Sequence, residues 1–128
     1  MQDDAVQARK DAAIDFLRLV IAGRIDEAYR THVDMSGKHH NPHFAAGMPA
    51  LRQAMIDNHA QFPDKRIETK RVIADGDLVA THSLVSLNPG NMNIVAVHIF
   101  RFRGDRIVEL WDVTQELKAD SPNADGTF

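Results

Sequence analysis

Residues 94–112 read Ile94-Val95-Ala96-Val97-His98-Ile99-Phe100-Arg101-Phe102-Arg103-Gly104-Asp105-Arg106-Ile107-Val108-Glu109-Leu110-Trp111-Asp112. Two runs rich in β-branched and aromatic residues flank Gly104-Asp105, a dipeptide suited to a tight hairpin turn. The spacing therefore predicts strands over 93–103 and 106–115. Upstream, Asp75-Gly76 separates two further runs, which predicts strands over 66–75 and 78–87. Asn88-Pro89-Gly90-Asn91 links the two hairpins as a longer turn. The result is a four-strand antiparallel meander.

Before Pro63 the period is helical. Val6, Ala13, Ile14, Leu17, Val20 and Ile21 recur at helical spacing over residues 4–22, and Gly23 is a plausible stop. A short helix follows from Ile25 to His32. Residues 33–47 carry Gly37, Asn41-Pro42 and Gly47 and read as irregular or briefly extended. A third helix starts near Met48, with Pro49 in its first turn, and ends before Pro63. Three helices followed by a meander define an α+β domain, with the helices covering one face of the sheet. Residues 1–117 form this single domain, and 118–128 are a polar tail expected to be mobile or to lie on the surface.

The chain has 128 residues, room for one domain, and no cysteine, so thiolate chemistry and disulfides are excluded. A net charge of −3 gives no basic excess for a phosphate backbone, so no nucleic-acid partner is expected. The acidic Met1-Gln2-Asp3-Asp4 start lacks a signal pattern, and no apolar run approaches a membrane span. A cytoplasmic location without a membrane partner is the expectation. Seven histidines outnumber the six phenylalanines, and histidine is the side chain that titrates near neutral pH.

Period-2 sorting groups Leu78, Ala80, His82 and Leu84; Ile94, Ala96, His98, Phe100 and Phe102; and Val108, Leu110 and Asp112. Each set is apolar except for one ionisable group. Burying such a group without a partner costs roughly 1–3 kcal/mol. His82, His98 and Asp112 therefore imply mutual hydrogen bonds, water or a pocket. The opposite faces carry Val95, Val97, Ile99 and Trp111, and a sheet apolar on both sides needs a second cover. A homodimer through that outer face is expected; a tail or helix packed there is the alternative. His39, His40 and His43 lack helical spacing and a carboxylate partner, so no metal site is expected.

The helix–helix–helix–meander order, the loop His39-His40-Asn41-Pro42-His43 leading to Gly47, the stretch Asp77 to Ser83, and the blocks Val97 to Phe102 and Asp105 to Asp112 resemble the SnoaL-like polyketide cyclase family of the nuclear-transport-factor-2-like superfamily. The resemblance spans about residues 5–117. It implies a cone-shaped fold, three N-terminal helices on a curved, mainly antiparallel sheet. In the related steroid isomerases an oxyanion-stabilising acid stands where His98 stands here. Their base carboxylate precedes a proline, where this chain has Asn41, which has no useful basicity. In the polyketide cyclases an aspartate on the last strand is the acid/base group, and Asp112 is similar in position. The His40-Asn41-Pro42 run and His82 look like a subgroup associated with aldol condensation.

The resemblance and the strand faces together imply an enzyme that needs no cofactor and acts on a small apolar carbonyl compound. Asp112 and His98 would form the acid/base pair and His82 would donate to the substrate oxygen. His40 and Asn41 would stand at the pocket mouth, with Leu84, Phe100 and Leu110 lining it. A dimeric binding module that holds a small ligand without turnover, and a scaffold with no ligand at all, remain open readings.

Overall fold

The alternation that begins after Pro63 folds as expected, and the segment before the third helix adds a strand to it. The computed structural model describes residues 2–88 and 91–128, so Pro89 and Gly90 of the linking turn lie outside the described residues. The elements are α1 (Gln2–Ile21), α2 (Ile25–His32), β1 (Val33–His39), α3 (Met48–Gln61), β2 (Arg66–Asp75), β3 (Leu78–Asn88), β4 (Asn91–Arg103) and β5 (Arg106–Glu116). The fold is α+β, with a five-stranded sheet in the order β1-β5-β4-β3-β2. Consecutive strands of the meander pair antiparallel, while β1 pairs parallel with β5.

Strand β1 corrects the expectation of an irregular 33–47. Its sequence alternates, but on short and polar residues around Gly37, which masks the pattern. Gly37 is required by close approach: a Cβ there would collide with the carbonyl oxygen of Val108. The same contact explains two register irregularities, between Val33 and Lys38 on β1 and near Val108 on β5. On β5, Arg101 pairs with Glu109 and Phe102 with Ile107, which leaves Val108 as the extra, bulged residue. The core place expected for Val108 is taken by fully buried Ile107.

Helix α1 ends in a Schellman motif. Gly23 has φ +83°, its N–H reaches the Val20 carbonyl at 3.1 Å, and the Arg24 N–H reaches the Leu19 carbonyl at 2.9 Å. This turn sends α2 back against α1 and the edge strand β1. The core then closes between the helices and one sheet face, where Phe16 meets Tyr29 edge-on at 5.3 Å and Phe100 at 6.0 Å. No helix among the described residues is long and apolar enough to cross a membrane.

The core face of β3 is the reverse of the one read from its apolar residues. Val79, Thr81, Ser83 and Val85 are buried, and Leu78, Ala80, His82 and Leu84 face outward. Both sets are partly apolar, so alternation alone does not choose between them, and the pairing of Val79 with Phe100 and of Thr81 with His98 sets the inner face. The tail beyond Glu116 forms no helix or strand, and its last residue, Phe128, returns to the outer face, with its ring 5.0 Å from that of His82.

Candidate functional site

The register of β3, β4 and β5 places Thr81, His98 and Asp112 in one row. His98 is directly opposite Thr81 on one side and Asp112 on the other. Directly paired residues project to the same face, so all three point into the helix-covered side. Phe100 and Leu110, paired one step further along, continue this face and are 0% and 5% exposed. The rings of His98 and Phe100 stack at 6.1 Å.

Tyr29 lies above this row, carried there on the apolar side of α2 with Ile25 and Ala28. Its side chain is 1% exposed and its hydroxyl has no hydrogen-bond partner. Burial pushes its phenol well above the ordinary tyrosine value; the charge of Asp112 adds to this, and Arg52 on α3 opposes it. Thr81 Oγ1 and His98 Nδ1 are likewise buried without a hydrogen-bond partner, while Arg52 Nε faces Asp26 Oδ1 at 3.9 Å. Each such group costs about 1–3 kcal/mol when left unpaired, so three of them on one apolar face call for a polar partner there. Burial holds the His98 imidazole below its ordinary value, with the Asp112 charge pulling the other way.

Asp112 is held from the loop after β1. Asn41 Nδ2 donates to Asp112 Oδ2 at 2.8 Å, and Asn41 Oδ1 accepts from the His43 backbone N–H at 2.9 Å. A backbone N–H can only donate, which fixes the amide with its NH₂ toward the carboxylate. His39, 8% exposed, holds the base of this loop through the Asn41 backbone N–H at 3.1 Å and the Ala45 carbonyl at 2.7 Å.

The structure thus brings together Asp112, His98, Phe100 and Leu110, with Asn41 reaching in from the loop. It does not bring His82, Leu84 or His40 to them. His82 pairs with Val97, bonds Arg71 and touches Phe128 on the outer face. Leu84 pairs with Val95 on that same side. His40 stacks on Trp111 at 5.1 Å and bonds Glu109 Oε2 at 2.7 Å, which holds the Glu109 carboxyl below the usual carboxylate range. Arg101 pairs with Glu109 at 3.5 Å, as strand alternation suggests, and also with Asp77 at 3.2 Å.

Sequence reasoning missed Tyr29 and Thr81. A signal existed for the first: the chain's one tyrosine falls on the apolar stripe of a short helix. No group of three or more metal-ligating side chains is placed to hold an ion among the described residues. A surface cleft of about 270 Å³ between α1 and the β4–β5 turn, and one of about 570 Å³ beside α3, are lined by other residues.

The sequence matches the SnoaL-like domain family over residues 13–110. Among solved structures, it resembles a SnoaL-like polyketide cyclase from Agrobacterium tumefaciens (19% identity, 84% of this chain and 91% of that one, TM-score 0.69). It also resembles an NTF2-like protein of unknown function from Burkholderia xenovorans (18%, 92% and 90%, TM-score 0.74). A third neighbour is an LEH-like epoxide hydrolase from M. tuberculosis (15%, 86% and 84%, TM-score 0.67). At these identities the likeness establishes the fold. No curated protein matches the sequence.

Proposed function

The chain belongs to the SnoaL-like domain family, and on that premise we propose that the inner-face cluster is a cofactor-independent acid/base site of the aldol-condensation, cyclase or isomerase type. Its substrate is a small apolar carbonyl compound enclosed between the helices and the sheet. The observation that carries this reading is the His98–Asp112 pair, set in an apolar buried face with the unpaired hydroxyls of Tyr29 and Thr81 around it.

In this reading Asp112 removes the proton α to the carbonyl through Oδ1, since Oδ2 is taken by Asn41. Tyr29 and Thr81 donate to the enolate oxygen, which forms in a low-dielectric site where such donors count most. His98, kept neutral by burial, relays the proton to or from the product oxygen. Phe100 and Leu110 give the apolar wall. His82 has no part in this chemistry.

The test is α-proton exchange of a panel of small ketones in D₂O, followed by ¹H NMR. Exchange by the wild-type protein that Asp112→Asn lowers by roughly 10²–10⁴-fold supports the enzyme. Binding of the same ketones with no exchange above buffer would leave the site a ligand-holding pocket, the alternative reading.

The partner in this proposal is a second copy of the chain, seated on the outer sheet face. Ile73 and Val113 are 62% and 63% exposed there, beside Val97, Ile99 and Trp111. Light scattering that gives twice the chain mass, reduced to one by Val113→Glu, supports this; a monomer at all concentrations contradicts it.

A further inference from the structure

The loop between β1 and α3 contributes Asn41 to the site, and the residue that fixes Asn41 is His39. Its ring is buried and both nitrogens are committed. The Asn41 backbone N–H can only donate, so His39 Nδ1 accepts. The Ala45 carbonyl can only accept, so His39 Nε2 carries the hydrogen. These two contacts permit one form of the imidazole, the neutral Nε2–H tautomer. A ring in the other tautomer, or a charged one, turns an N–H toward the Asn41 N–H and breaks the contact.

The bonds run onward without a gap. His39 Nδ1 holds the Asn41 backbone; the Asn41 carbonyl oxygen of the side chain is held by His43 N–H at 2.9 Å; and Asn41 Nδ2 reaches Asp112 Oδ2 at 2.8 Å. The His40 N–H bonds the Leu110 carbonyl at 2.9 Å, and His39 pairs with Leu110, so the loop is anchored on the strand that carries Asp112. We propose that His39 is a positioning residue for Asp112. Acting through Asn41 and in its Nε2–H form, it fixes which carboxylate oxygen is tied down and which one faces the core. This rests on the acid/base reading of Asp112 for its role in turnover, but the geometry stands without a substrate.

Two measurements test it. In wild-type protein, ¹⁵N-detected long-range correlations of the histidine rings report the tautomer directly, and His39 should show a protonated Nε2 and a bare Nδ1 at neutral pH. The second reading is the Asn41 side-chain NH₂ pair, whose two proton shifts are spread by the carboxylate. The spread should collapse in His39→Leu and persist in His39→Asn, because the asparagine oxygen stands near where Nδ1 accepts. α-Proton exchange should follow the same order, up to about 10²-fold lower in His39→Leu through misplacement of the carboxylate and largely restored in His39→Asn. An Nδ1–H or charged His39, or an Asn41 pair unmoved in His39→Leu, overturns the proposal. The wild-type tautomer decides the matter even if His39→Leu fails to fold. Failure of exchange in every protein, with the tautomer and Asn41 signatures as predicted, removes the catalytic reading of Asp112 and leaves the positioning intact.

Discussion

His98 and His82 lie on neighbouring strands of one sheet, yet His98 pairs across to Thr81 and Asp112, and His82 pairs with Val97. A single residue of register separates them, and because side chains alternate, that step moves a ring from the core to the outer surface. On the inner side the ring stacks on Phe100 and faces buried hydroxyls with no partners. On the outer side it bonds an exposed arginine and touches the end of the chain. The same residue type is chemically poised in the first setting and an ordinary surface group in the second. Burial and neighbours decide which histidine can be functional; the composition surplus that draws attention to all seven does not.

The contrast can be broken most sharply through the site itself. Asp112→Asn should cut α-proton exchange by roughly 10²–10⁴-fold, whereas His82→Asn should leave the rate within about twofold. Equal losses in both would erase the distinction between faces. Packing gives the next largest difference. Phe100→Ala should cost about 3–5 kcal/mol in denaturant unfolding, as for a fully buried aromatic. Val113→Ala, 63% exposed, should change stability by no more than about 0.5 kcal/mol in the monomer.

A smaller effect appears in the pH dependence of stability. Burial lowers the folded-state value of His98, so the unfolded chain binds the proton more readily. The contribution of the neutral ring is therefore fully present above about pH 6.5 and is lost as pH falls through the folded value. Replacing His98 with Gln should flatten this part of the acid limb, read as the difference between urea midpoints at pH 7.5 and pH 5. The carboxylates of Asp15, Asp34 and Glu109, all held below the usual range, lose their contributions only at lower pH and should do so equally in both proteins. The smallest effect is expected at the chain end. Phe128→Ala should leave stability within about 0.5 kcal/mol while shifting the His82 ring resonances.

The α+β class, the three helices and the four-strand meander were legible because the change from helical to alternating period at Pro63 is sharp and Asp75-Gly76 and Gly104-Asp105 mark the hairpins. The pairing of His98 with Asp112 was legible in part, since both sit on faces whose apolar character is clear. The face of β3 was not. Leu78, Ala80 and Leu84 look more core-like than Thr81 and Ser83, but the face is set by the register with β4, a long-range pairing that periodicity does not encode. Strand β1 was hidden for a related reason: its pairing with β5 depends on Gly37 meeting the bulge at Val108, a long-range fit with little local signature. Tyr29 reaches the site because α2 is turned back against α1 and β1 at Gly23, so its role follows from tertiary packing.

The central claim is that His98 and Asp112, both half-buried, act on one another electrostatically across the inner face. It is tested most directly by titrating the His98 ring by NMR in wild-type protein and in Asp112→Asn. The account predicts a wild-type midpoint below about 6.5 that falls further when the neighbouring charge is removed. A midpoint at or above that value, unchanged by Asp112→Asn, would contradict it.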